Sequence, residues 1–143
     1  MTIEPVNPPE LPRPSGLSHA IVASGGDLVF LAGQTALDKT GSVVGDDLVT
    51  QFEQALSNLL TALRAAGGAP EHLTSLTIYV TDLAGYRASA REIGAVWRRL
   101  AGPGYPAMAA LEVSRLWDTA AMVEVQGFAV ISPRPAPTGQ PID

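Results

Sequence analysis

The residues able to do chemistry are few, and they gather in the last third of the chain. The stretch "GYPAMAALEVSRLWDT", residues 104–119, carries one guanidinium, Arg115, one thioether, Met108, and a carboxylate, Glu112, amid apolar positions. The next stretch, "VEVQGFAV", adds Glu124 and Gln126. Carboxylates on strands that read as buried need a partner, and Arg115 could serve either glutamate. Glu112, Arg115 and Glu124 therefore read as a structural ion pair before they read as catalytic groups. Gln126 is different: its amide both donates and accepts, and beside Gly127 it sits where a ligand could approach the backbone closely. Met108 has two readings, a flexible gap filler of a closed cleft or the polarizable floor of a ligand pocket.

Other chemistries lack their residues. There is no cysteine, so disulfides, thiolate catalysis and Cys-ligated metals are excluded. His19 and His72 stand far apart with no clustered carboxylate, so no metal site is expected, and His72 reads as a solvated loop residue. The glycines of "SGGDL" and "AGPGY" read as turns rather than phosphate cradles. A net charge of −5 opposes a phosphate backbone, and Tyr79, Trp97 and Trp117 form no stripe interleaved with basic residues, so nucleic acid is not an expected partner. The N-terminus has no basic start and no apolar segment, and no run of about 18 apolar residues occurs anywhere. Neither a signal peptide nor a membrane span is expected, and the cytoplasm is the default location.

The elements that must position these residues are legible from periodicity. A length of 143 residues fits one domain. Prolines 5, 8, 9, 12 and 14, then 133, 135, 137 and 141, mark extended or mobile tails around a body of about residues 17–131. "SHAIVAS", "GGD" and "LVFLAGQ" read as a strand, a turn and a strand, a hairpin signal, and residues 35–47 as a loop. Phe52, Leu56, Leu59, Leu60 and Leu63 recur at helical spacing, with Thr50 and Glu53 fitting a capping box and Gly67 and Gly68 as the stop. "LTSLTIYVTD" alternates as a strand. Leu83, Tyr86, Ala90, Ile93, Trp97 and Leu100 form the buried stripe of a second helix, and strands follow near 107–115 and 122–131. The order ββαβαββ is an α+β arrangement with two helices on one face of a sheet. "LVFLA", "AMAAL" and "MVEVQGFAVI" are apolar at both parities, so both faces should be buried, the second one by another subunit.

Five stretches, "LVFLAGQTALD", "QALSNLLTALRAAGG", "TIYVTDL", "YPAMAALEVSRL" and "VEVQGFAV", are similar in order and spacing to the RidA family, also called YjgF/YER057c/UK114. The resemblance covers nearly the whole body. It implies a chorismate mutase-like homotrimer whose sheets line a central barrel, with small-molecule sites at subunit interfaces. It further implies an enamine/imine deaminase that hydrolyses 2-aminoacrylate and related 2-imino acids without a cofactor. The family's substrate-binding arginine falls on Met108, a tyrosine on Leu17, a helix asparagine on Ala90, a cysteine on Ala110 and the water-ordering glutamate on Gln126. Arg115 matches a second arginine that the family keeps.

The flanking "AGQ", "TDL" and "SRL" are retained around these five departures. The scaffold is kept while the site differs. Losing a bidentate arginine from an enclosed cleft costs about 3–5 kcal/mol of carboxylate binding, so a small imino acid should bind poorly. Leu17, Ala90, Met108 and Ala110 would instead line a larger, more apolar pocket, with Tyr105 and Gln126 as polar contacts and Gln126 in the catalytic position. The expectation is a hydrolase acting on a neutral or more apolar imine or enamine. The alternative is a non-catalytic ligand-binding or regulatory trimer, and a ribonuclease role is disfavoured by the acidic balance.

Overall fold

Helix formation between residues 48 and 65 follows from one cap and one stripe. Asp47, in extended conformation, accepts the Thr50 N–H at 2.8 Å and the Thr50 hydroxyl at 2.9 Å, and α1 runs Leu48–Ala65. The cap thus lies three residues before the expected Thr50, because a carboxylate satisfies two donors of the first turn at once. Glu53, freed from any capping role, pairs with Arg99 at 2.7 Å. Phe52, Leu56, Leu59, Leu60 and Leu63 are all buried, and Gly67 follows the helix in the left-handed region at φ 96°.

The computed structural model describes residues 1–136. Strands β1 (Thr2–Val6), β2 (Ala20–Ser24), β3 (Asp27–Gln34), β4 (Leu73–Val80), β5 (Ala107–Glu112) and β6 (Val123–Ile131) form two sheets. β1 and β2 pair antiparallel; the other four run in the order β3-β6-β4-β5, with only β4 and β5 parallel. Two sequence expectations are corrected here. The proline-rich N-terminus is not simply a tail: it contributes β1, with Pro5 in a strand that has only one neighbour and so needs no second ladder. The stretches flanking "GGD" are strands but not a hairpin, since β2 pairs with β1 while β3 pairs with β6 across Phe30 and Phe128. At the other end Pro133 and Pro135 are exposed, and Pro137 and Pro141 lie outside the described residues.

The second helix is divided into α2 (Leu83–Ala88), capped by Asp82, and α3 (Ala90–Ala101), with Ser89 between them. Ile93, Val96 and Trp97 are buried, whereas Ala90 is exposed, because the break at Ser89 turns it out of the stripe. His72 is no free loop residue. Its Nδ1 accepts the Ala69 N–H at 2.9 Å and closes the 3-10 turn Pro70–His72.

The helices cover one face of the four-stranded sheet. Along β6, Val123, Val125, Ala129 and Ile131 are at most 1% exposed, and each of the valines and the isoleucine contributes about 1.5–3 kcal/mol by burial. Gly127 shares that face because the Ser75 carbonyl occupies the place of a side chain, beside the irregularity between Leu73 and Ser75. The other face is uncovered by the described residues: Leu28, Phe30 and Phe128 are 55%, 72% and 40% exposed, with the two rings edge to face at 5.4 Å. The α+β class stands, and the described residues leave the second face open.

Candidate functional site

A cavity of about 360 Å³ opens between the edge strand β5 and helices α2 and α3. Register places its floor: Met108 lies opposite Leu76 and Ala110 opposite Ile78, so both share the helix-covered side of the sheet. The third wall is the segment Ser15–Leu17. That segment is fastened to the start of β5, where the Ser18 N–H donates to the Pro106 carbonyl at 2.9 Å and the Ser18 hydroxyl to the Tyr105 carbonyl at 2.7 Å. Trp97 donates from Nε1 to the Gly104 carbonyl at 2.9 Å and stacks on the Tyr105 ring at 5.4 Å and 14°. One buried aromatic thus fixes the turn into β5 and the orientation of Tyr105.

Leu17, Ala90, Tyr105, Met108 and Ala110, far apart in sequence, all line this cavity. Gln126 does not. It is opposite Thr77 on the uncovered face of the sheet, exposed, and accepts a hydrogen bond from the Tyr79 hydroxyl at 3.3 Å. Strand alternation makes this unavoidable, since Gln126 sits between Val125 and Gly127, both of which face the helices. Within one chain the side chain cannot reach the cavity.

The expected ion pair is absent as well. Among the described residues the ion pairs are Arg99 with Glu53 and Arg134 with Asp27, and neither Glu112, Arg115 nor Glu124 takes part. Glu112 is exposed and accepts the Leu83 N–H at 3.1 Å, holding the start of α2 to the end of β5. Glu124 packs against Gly33 on the uncovered face, and Arg115 is exposed. Glu112 and Arg115 are exposed and Glu124 is only half-buried, so none of the three is deep enough to need a counter-ion.

The lining also takes in residues outside the expected set, among them Tyr86, Ile93 and Trp97 of the predicted helix stripe and Arg98 beside them. Ala90, Gly94 and Arg98 recur at intervals of four along α3, which is the signal that places them on one helix face. Tyr86 packs edge-on against Phe52 at 6.5 Å. Burial, with the neighbouring Tyr105 phenol, pushes its hydroxyl up to about 12, so it stays a neutral donor throughout the physiological range. Among the described residues the lining contains no carboxylate and no imidazole: its polar side chains are Ser15, Tyr86, Trp97, Arg98 and Tyr105. Such a surface can enclose an apolar body and orient it by hydroxyls. It offers no general base of its own.

A second hollow, about 710 Å³, lies behind Tyr105 and is framed by β1, the Pro70–His72 turn and the Gly102–Pro106 turn. It is larger, but of the positions expected at the site it takes in only Leu17 and Tyr105. Convergence of those positions, not size, identifies the cavity at Met108 as the candidate site.

Comparison with known proteins agrees with this architecture. Residues 12–131 match the family model described as endoribonuclease L-PSP. A RutC family protein of Pyrococcus horikoshii is 34% identical over 82% of this chain and 90% of its own length, and one of Sinorhizobium fredii is 36% identical over 91% and 98%. A more distant relative, 27% identical over 73% and 74%, is the 2-iminobutanoate/2-iminopropanoate deaminase of Capra hircus. Among solved structures, a protein of the conserved Rid family from Yersinia pestis superposes with a TM-score of 0.82 at 29% identity, covering 92% of this chain and all of that one. With the sheet order, the helix layer and the retained motifs, these similarities establish that the chain belongs to the endoribonuclease L-PSP family, the RidA (YjgF/YER057c/UK114) family.

Proposed function

We propose that this chain is a divergent enamine or imine hydrolase of its family, acting on a neutral or more apolar substrate than 2-aminoacrylate. The observation that carries the proposal is the chemistry of the cavity floor, where Met108 and Ala110 lie beside Ile78 of the neighbouring strand, with Ile93 and Trp97 of α3 also lining the hollow. No guanidinium lies at position 108 to hold a carboxylate next to the reacting carbon, and a thioether there favours a hydrocarbon surface. The deaminase relative from Capra hircus supports the reaction class.

The same reading includes a cytoplasmic homotrimer that requires no cofactor. The uncovered face bearing Leu28, Phe30 and Phe128 supports self-association, because soluble chains rarely leave contiguous apolar surface in water. Gln126 lies on that face, so in such an assembly it would serve the cavity of a neighbouring copy, where its amide could order a water but not deprotonate it. A second reading, a non-catalytic ligand-binding trimer, is favoured by the absence of any carboxylate or imidazole from the cavity lining. Ribonuclease action finds no support in a net charge of −5.

The test generates imines from a series of amino acids with an amino-acid oxidase and follows their loss against a semicarbazide trap. Acceleration should be weak for 2-iminopropanoate and grow with the apolar bulk of the side chain. Met108→Arg should raise the rate on 2-iminopropanoate at least about tenfold, by restoring a charge-assisted pair. Saturable ligand binding with no acceleration of any imine would establish the non-catalytic reading instead.

A further inference from the structure

Arg98 introduces a charge into a cavity that is otherwise neutral. Its guanidinium folds back along α3 over Gly94, with Nη1 3.5 Å from where a Cβ on that glycine would stand. Both residues line the cavity, and the missing side chain of Gly94 leaves the guanidinium room to lie across the helix face at the mouth. No ion pair among the described residues includes Arg98, while Glu53 is taken by Arg99 and Glu112 accepts from the Leu83 N–H.

The buried part of the lining has the opposite character. Ile78 and Ile93 are 1% and 5% exposed, and Met108 packs on the core beside Tyr105. The hollow therefore has a polarity of its own, hydrocarbon at the inner wall and a cation at the rim. A volume of about 360 Å³ accommodates a body the size of a phenyl ring with a short chain.

We propose that the cavity binds an apolar carboxylate body first, with the hydrocarbon against Met108, Ile78 and Ile93 and the carboxylate held at the mouth by Arg98. The inference rests on the reading of this cavity as the small-molecule site, and it narrows the substrate class. Between a neutral compound and a more apolar acid, it selects the acid, with the anionic end remote from the floor. Arg98 is then a specificity-determining residue and not a replacement for an arginine at position 108, because it approaches from the helix layer and not from the sheet. Guanidinium geometry suits a planar carboxylate, and binding at a water-exposed rim makes the contribution moderate and salt-dependent.

Calorimetric titration of the full chain with 3-phenylpropanoate and with 3-phenylpropanamide tests the proposal. The acid should bind about tenfold more tightly than the amide at low ionic strength, as expected for one charge-assisted contact near solvent. Arg98→Gln should level the two ligands without weakening the amide, while Arg91→Gln, an exposed change on the same helix away from the cavity, should leave the ratio unchanged. Equal binding of acid and amide to the natural chain, or an acid preference that survives Arg98→Gln, would overturn the assignment while leaving the apolar site intact. Binding of neither would overturn the cavity reading itself. Acid-selective binding without hydrolysis of any imine would uphold the role of Arg98 and reject only the hydrolase.

Discussion

The two faces of strand β6 belong to different structures. On one side Val123, Val125, Ala129 and Ile131 are sealed under the helices; on the other, Gln126 and Phe128 stand in the open beside Phe30. One strand alternates between a core the chain completes and a surface it leaves bare. The difference teaches that apolar residues at both parities need not mean two faces buried by the chain itself: one is sealed under the helices, and the other is what the proposed assembly would bury.

Substitutions on the two faces should therefore fail differently. The largest effect is expected from Phe30→Asp combined with Phe128→Asp, which places charges where the proposed assembly is dry. Light scattering after gel filtration should show the natural chain at three protomers and the double variant at one, with helical circular dichroism retained. Trp97→Ala breaks the other side: it removes a buried ring, its stacking on Tyr105 and the bond to Gly104, at a cost of about 3–5 kcal/mol in denaturant unfolding of the folded chain. Should both variants merely lower the melting temperature by similar amounts, the two faces would not be distinct in the way proposed.

A smaller effect sharpens the contrast through pH. Tyr86, on the sealed side, has its hydroxyl raised to about 12, chiefly by burial and then by Tyr105. The folded chain thus holds that proton more tightly than the unfolded chain, in which tyrosine titrates near 10. The stabilisation is complete below pH 10 and is lost as pH rises from about 10 to about 12. Unfolding midpoints measured across that window should fall for the natural chain and fall less for Tyr86→Phe.

Much of this arrangement was legible in the sequence, for reasons that are local. The α1 stripe and the alternation of Leu76, Ile78 and Val80 depend only on the period of each element, and both are buried as expected. Five of the expected site positions converge because motif order carried them onto one fold. What was not legible depends on partners distant in the chain. β3 prefers β6 over its sequence neighbour, and β1 forms despite Pro5 because β2 offers an edge. The apolar context of Glu112, Arg115 and Glu124 reads as burial, whereas β5 ends at Glu112, Arg115 lies exposed beyond it, and Glu124 is half-buried on the uncovered face. Arg98 was missed because it joins the site only after the break at Ser89 sets the direction of α3.

The central claim, that the cavity over Met108 is where this protein takes its small molecule, is tested most directly at the methionine itself. The chain has three methionines, so methyl-labelled protein gives three resolvable signals, with Met108→Leu assigning the one of interest. Titration with 3-phenylpropanoate should shift the Met108 methyl saturably while Met1 and Met122 hold still. A Met108 signal that does not move, or a response confined to Met1 on the N-terminal side, would contradict the account.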